Sequence, residues 1–130
     1  MLAGVLYSAS TAFHEISHLL FCKVLHCKIV GWKIFFFCYN DQKLYFNKRG
    51  KNYCSFISSS RKKRIAIAAV GPITELVVSI FCLQLSCYSA QAWIKDGLIG
   101  AFCLIFLSSV LDLLPITGSD GKMIFGKDEQ

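Results

Sequence analysis

His14-Glu15-Ile16-Ser17-His18 lies inside Leu2 to Leu25, a stretch that is otherwise apolar and long enough to cross a membrane as a helix. That placement restricts the fold more than any other feature of the chain. Two imidazoles and a carboxylate are costly in hydrocarbon, so the face that carries them must turn toward protein or a water-filled pocket. On a helix, residues four apart share a face, so His14 and His18 can aim at one metal ion. Glu15 sits one step round, placed to polarise a water on that ion. His14, Ser17 and His18 form a polar stripe on a mainly apolar segment.

Composition agrees with a membrane setting. Hydrophobic residues make up 55% of the 130 residues, and mean hydropathy is +0.52. Both are high for a soluble domain. The length suits a single domain, residues 1–130. Two further apolar spans follow, Ile65 to Tyr88 and Gly97 to Leu114. The second is interrupted by Gly71-Pro72 and Glu75, and the third is closed by Pro115. No positive residue precedes Lys23, and cleavage after the first apolar segment would discard both histidines, so a removable signal peptide is not expected. The seven cysteines form no disulfide framework or CxxC pair, and those in apolar runs read as small hydrophobes.

The segment 29–60 changes character. Ile34 to Tyr39 and Lys43 to Phe46 are aromatic and β-prone, with Asn40-Asp41-Gln42 between them, and the pattern predicts a hairpin. Lys48 to Asn52 predicts a second turn and Tyr53 to Ile57 a third strand. Open sheet edges are not tolerated against lipid, so this sheet belongs at the membrane surface or against the helices. The fold class expected is mainly α: a three-helix transmembrane core with a small β-rich insert after the first helix.

Fourteen Lys and Arg stand against eight Asp and Glu. Ten of the basic residues lie between the first two spans, including Arg61-Lys62-Lys63-Arg64, whereas Lys95 alone lies between the second and third. This asymmetry reads as membrane orientation and not as nucleic-acid binding. The first loop is then cytosolic, the N-terminus outside and the C-terminus inside. His14 and His18 fall in the cytosolic half of span one, and span three ends on the same side.

Catalytic zinc takes three protein ligands and keeps a position for water. His26, the only other histidine, lies two helical turns past His18 and cannot wrap back along a straight helix, so an interfacial role is expected. The remaining candidates are acidic. Asp120 follows Pro115 and Gly118 and precedes Gly121, in a segment that suits a tight turn at the depth of the histidines. An isolated Asp-Gly step is more often a plain turn.

Three landmarks together resemble the site-2 protease family of intramembrane zinc metalloproteases, particularly its short bacterial, sporulation-protease-like branch. The first is His14 to His18. The second is Ala68-Ala69-Val70-Gly71-Pro72-Ile73-Thr74-Glu75, similar to the family's Ala-Ala-Gly-Pro-x-x-Asn segment. The third is Asp112-Leu113-Leu114-Pro115 through Asp120-Gly121, similar to Asn-Leu-Leu-Pro…Asp-Gly. The resemblance implies that His14, His18 and Asp120 bind one zinc ion (Zn2+) and that Glu15 is the catalytic base. It implies a multi-pass protein of the bacterial cell membrane whose active site faces the cytosol and whose partner is a membrane-protein substrate. Two positions depart from the pattern: Glu75 and Asp112 replace asparagines, and an ionised carboxylate accepts hydrogen bonds where an amide also donates. Both are expected to line the substrate channel without binding zinc. A membrane binding module that keeps the fold and cuts weakly or not at all is the alternative, with a soluble zincin and a zinc carrier behind it. The sequence leaves oligomeric state and substrate identity open.

Overall fold

The computed structural model describes residues 1–40, 43–47, 52–58, 60–116 and 120–125. Three long helices, α1 (Leu2–Val24), α2 (Arg61–Tyr88) and α3 (Ala92–Leu113), pack on one another. Between α1 and α2 lie four strands, β1 (Lys28–Ile34), β2 (Phe37–Asn40), β3 (Lys43–Phe46) and β4 (Tyr53–Ile57). A short helix, α4 (Asp120–Phe125), returns onto α2 and α3. The chain is thus mostly helical with a small antiparallel sheet after the first helix.

Helix α1 ends where the chain turns left-handed. His26 has φ 54°, and the Cys27 and His26 amides donate to the Cys22 and Lys23 carbonyls at 2.8 and 3.2 Å. This crossed pair satisfies the last-turn carbonyls of the helix and directs the chain into β1. His26 therefore has a local structural task at the end of the helix. The Lys63 ammonium donates to the Leu25 carbonyl at 2.8 Å, and the Arg64 guanidinium to the Ser58 carbonyl at 3.1 Å. The basic cluster is the first turn of α2, ahead of the expected start at Ile65, and it ties that helix to its neighbours.

The sheet order is β3-β2-β1-β4, all antiparallel. The aromatic run Ile34 to Tyr39, expected as one strand, is split by a hairpin turn at Phe35-Phe36. Phe35 has φ 54°, a region a bulky side chain seldom occupies. The Asn52 side-chain oxygen accepts the Phe35 amide at 2.8 Å and holds the turn from outside. No glycine or asparagine stands in the turn to announce it. Asp41-Gln42, Lys48 to Lys51 and Thr117 to Ser119, expected in turns, lie outside the described residues. The sheet packs on α1 through β1 and β4.

Two helices, α2 and α3, are long and apolar enough to cross a membrane. Helix α1 has the length, 23 residues, but not the composition, because His14, Glu15, Ser17 and His18 interrupt it. The apolar core, Cys82, Leu98, Ala101 and Ile105 with Leu6, Tyr7 and Val78 around it, joins the three helices. Pro72 lies inside α2, and the Ser109 hydroxyl of α3 donates to its carbonyl at 2.8 Å.

Candidate metal centre

The histidines project from α1 onto α2. Both are buried, and their rings meet edge to face with centroids 4.7 Å apart. His18 Nδ1 lies 2.7 Å from the Ile67 carbonyl oxygen. A carbonyl only accepts, so this nitrogen carries the proton and Nε2 is turned inward. His14 Nε2 points to the same place. The carboxylate of Asp120 completes the set: its Oδ2 is 3.1 Å from His14 Nε2 and 3.2 Å from His18 Nε2. With protons on Nε2, each imidazole donates to that oxygen. Without them, three lone pairs converge on one point. Burial alone would raise the Asp120 carboxyl, but hydrogen bonds from both imidazoles outweigh it and hold it down at about 2.

Gly71 explains why the point is open. A Cβ at this position would sit 2.5 Å from His18 Nε2, 2.6 Å from His14 Nε2 and 2.7 Å from His14 Cε1. The bare backbone of α2 leaves the space that any side chain would fill. His14, His18 and Asp120 form a group able to hold a metal ion, and two nitrogens with one oxygen are a donor set suited to zinc. Gly121 allows the third donor to arrive. A Cβ there would collide with the Leu113 and Leu114 carbonyls, so α4 could not lie against the end of α3. Asp120 is the first residue of α4, and Gly121 serves close approach inside that helix where a turn was expected.

A cavity of about 640 Å³ opens on this point. Glu15, His14, His18 and Asp120 line it together with Tyr7, Ser8 and Thr11 from α1, Ser108 and Asp112 from α3, and Glu75 from α2. Phe35, Asn52, Tyr53 and Cys54 close it from the sheet. All six residues singled out in the sequence thus face one cavity. Burial pushes the Cys54 thiol up to about 12, with Cys22 and the charges of Glu15 and Asp120 adding to it.

Glu75 is 1% exposed. Its Oε1 lies 3.5 Å from His14 Nδ1, near enough for charge pairing but too poorly aligned for a hydrogen bond. Among the described residues, His14 Nδ1 and Glu75 Oε2 are both buried without a hydrogen-bond partner. His14, Glu75 and Asp112 also bring potential ligand atoms within 4.8 Å of one another. Sequence reasoning missed the roles of Gly71, Ile67 and Asn52. Only Gly71 carried a signal, as part of the Gly-Pro step inside an apolar span.

No family model, no curated protein and no solved structure matches this chain.

Proposed function

We propose that this protein is an intramembrane zinc metalloprotease that hydrolyses peptide bonds in or near the transmembrane segments of other membrane proteins. The observation that carries the proposal is the convergence of His14 Nε2, His18 Nε2 and Asp120 Oδ2 on a point that only a glycine leaves open, with Glu15 beside it in a polar cavity.

The distribution of side chains supports the membrane setting. Buried polar groups include Ser10, His14, His18, Glu75, Ser79, Ser86 and Ser109, whereas Phe13, Leu20, Val77, Phe81, Phe106 and Leu107 are exposed. A soluble domain has the reverse pattern. Only 39% and 22% of the apolar windows of α2 and α3 are buried, too little for core helices of a soluble protein. Lipid covers those faces. The positive charge between α1 and α2 supports a cytosolic position for the sheet and the metal centre.

Zinc held by His14, His18 and Asp120 would supply a Lewis acid for water and for the scissile carbonyl. Glu15 takes the proton of the attacking water and passes it to the departing nitrogen. The backbone of α1 holds Glu15 next to both histidine ligands, so no loop closure is needed to assemble the set. A helical substrate must unwind before its carbonyl can be reached. Among the described strands, β3 and β4 are the sheet edges, and Tyr53 and Cys54 of β4 line the cavity. An opened segment therefore adds to β4 beside the catalytic group.

The test is zinc content and cleavage of membrane-peptide substrates by the detergent-purified protein, beside Glu15→Gln. Zinc-dependent cleavage that this variant loses is expected. A zinc-binding parent that cuts nothing would instead favour a non-catalytic client-binding module, a reading that the carboxylates Glu75 and Asp112 motivate.

A further inference from the structure

The charge of the cavity wall does not balance. Four carboxylates face the cavity, Glu15, Glu75, Asp112 and Asp120, and no lysine or arginine lies among its described lining residues. Histidines that ligate a metal are neutral. One divalent cation therefore offsets two of the four negative charges when all are ionised, and two remain. Asp120 belongs to the metal and Glu15 to the water. The uncompensated pair is Glu75 and Asp112, whose carboxylate oxygens approach each other and His14 within 4.8 Å. Glu75 is buried and lines the cavity, and among the described residues its Oε2 has no hydrogen-bond partner. Among the described residues Asp112 makes no ion pair with a lysine or arginine. A buried carboxylate that stays ionised in this condition is stabilised by a cation brought to it.

We propose that Asp112 and Glu75 form an acidic subsite that selects substrates carrying a lysine or arginine side chain beside the scissile bond. This rests on the protease reading and names its substrate class. The subsite shares a wall with the metal centre, so a chain whose carbonyl lies at the metal presents a neighbouring side chain to it. A long basic side chain suits the position, because its methylenes can lie on apolar wall while the charged head reaches the carboxylates. Phe35 and Tyr53, from the sheet side of the same cavity, offer aromatic faces to that head. Glutamate in the same place would meet like charge, and leucine would leave both carboxylates uncompensated.

The experiment uses one membrane-spanning peptide with lysine, arginine, norleucine or glutamate next to a single cleavable bond. Binding to the zinc-loaded Glu15→Gln protein in neutral detergent is measured by fluorescence anisotropy, and cleavage by the parent as kcat/KM. The lysine and arginine peptides should exceed norleucine by about tenfold or more in both, with glutamate weakest. Asp112→Asn, shown to hold zinc, should collapse the ratio toward one. Equal binding of the lysine and norleucine peptides overturns the subsite, whether or not either is cut. Absence of all cleavage, with the binding preference intact, overturns the protease reading and leaves the subsite standing. A second equivalent of zinc bound by the parent and lost in Asp112→Asn also overturns it, since the cation would then be a metal.

Discussion

Replacing Gly71 by alanine tests the metal centre more sharply than removing a ligand does. The new Cβ would lie 2.5 Å from His18 Nε2 and 2.6 Å from His14 Nε2, where ordinary contact begins at 3.4 Å. The rings must therefore retreat by about 0.8–0.9 Å, judged against that ordinary carbon contact. His18 cannot retreat cheaply, because its Nδ1 is held at 2.7 Å by the Ile67 carbonyl. Metal–ligand distances tolerate only about 0.2 Å. The retreat is several times larger and affects two of three ligands, so zinc affinity should fall by about 100-fold or more, the upper end of what supporting residues cost. Helix propensity acts in the opposite direction, since alanine in a helix interior is favoured over glycine by roughly 0.5–1 kcal/mol. Competition with a chromophoric chelator would measure the affinity, and circular dichroism would show that the helices remain. A Gly71→Ala protein that is folded and binds zinc within threefold of the parent would refute the assignment of this point as the metal position.

Glu15→Gln should keep zinc and lose roughly 10²–10⁴ in rate, because the amide cannot take a proton from water; turnover at the parental rate would end its role as base. Asp120→Ala should lose the metal, read as zinc per chain by atomic absorption, and full occupancy would mean that another group is the third ligand. Glu75→Gln should weaken zinc binding by about 10–100-fold through loss of the carboxylate at His14 Nδ1, whereas Asp112→Asn should leave it within a few-fold; the reverse order would exchange their roles. A membrane-impermeant label on a cysteine at Leu44 in β3 should react from the cytosolic side, and reaction from the outside alone would move the metal centre to the other leaflet.

What could be read from the chain was whatever rests on periodicity or on strong local chemistry. The i, i+4 histidines place two imidazoles on one helix face, so α1 and the aim of its imidazoles followed from spacing. The apolar runs located α2 and α3 within a few residues of their ends. Contacts between distant segments had no such signature. The turn at Phe35-Phe36 depends on an oxygen of Asn52, seventeen residues away, and interrupts a run whose own propensity is continuous strand. The tautomer of His18 depends on the Ile67 carbonyl, an atom every residue possesses and none advertises. Gly71 shows the intermediate case. A glycine before a proline in an apolar span signals that backbone must come close to something, but not to what.

Glu75 and Asp112 are often interchangeable in a sequence argument, as two acids where amides would be expected. Their surroundings separate them. Glu75 is buried in the helix bundle with one oxygen 3.5 Å from His14, so its first effect is on the orientation and basicity of that imidazole. Asp112 is only partly buried, near the end of α3, with space before it and no cationic side chain paired with it among the described residues. Its first effect is on whatever enters. Metal affinity and substrate preference should therefore respond unequally to the two single substitutions in one cavity. A Glu75→Gln protein with weakened zinc and a partly reduced preference for lysine at saturating metal, beside an Asp112→Asn protein that keeps zinc and loses the preference, is the expected outcome. Identical profiles would mean that the two carboxylates act as one unit, and the division between support of the metal and selection of the substrate would fail.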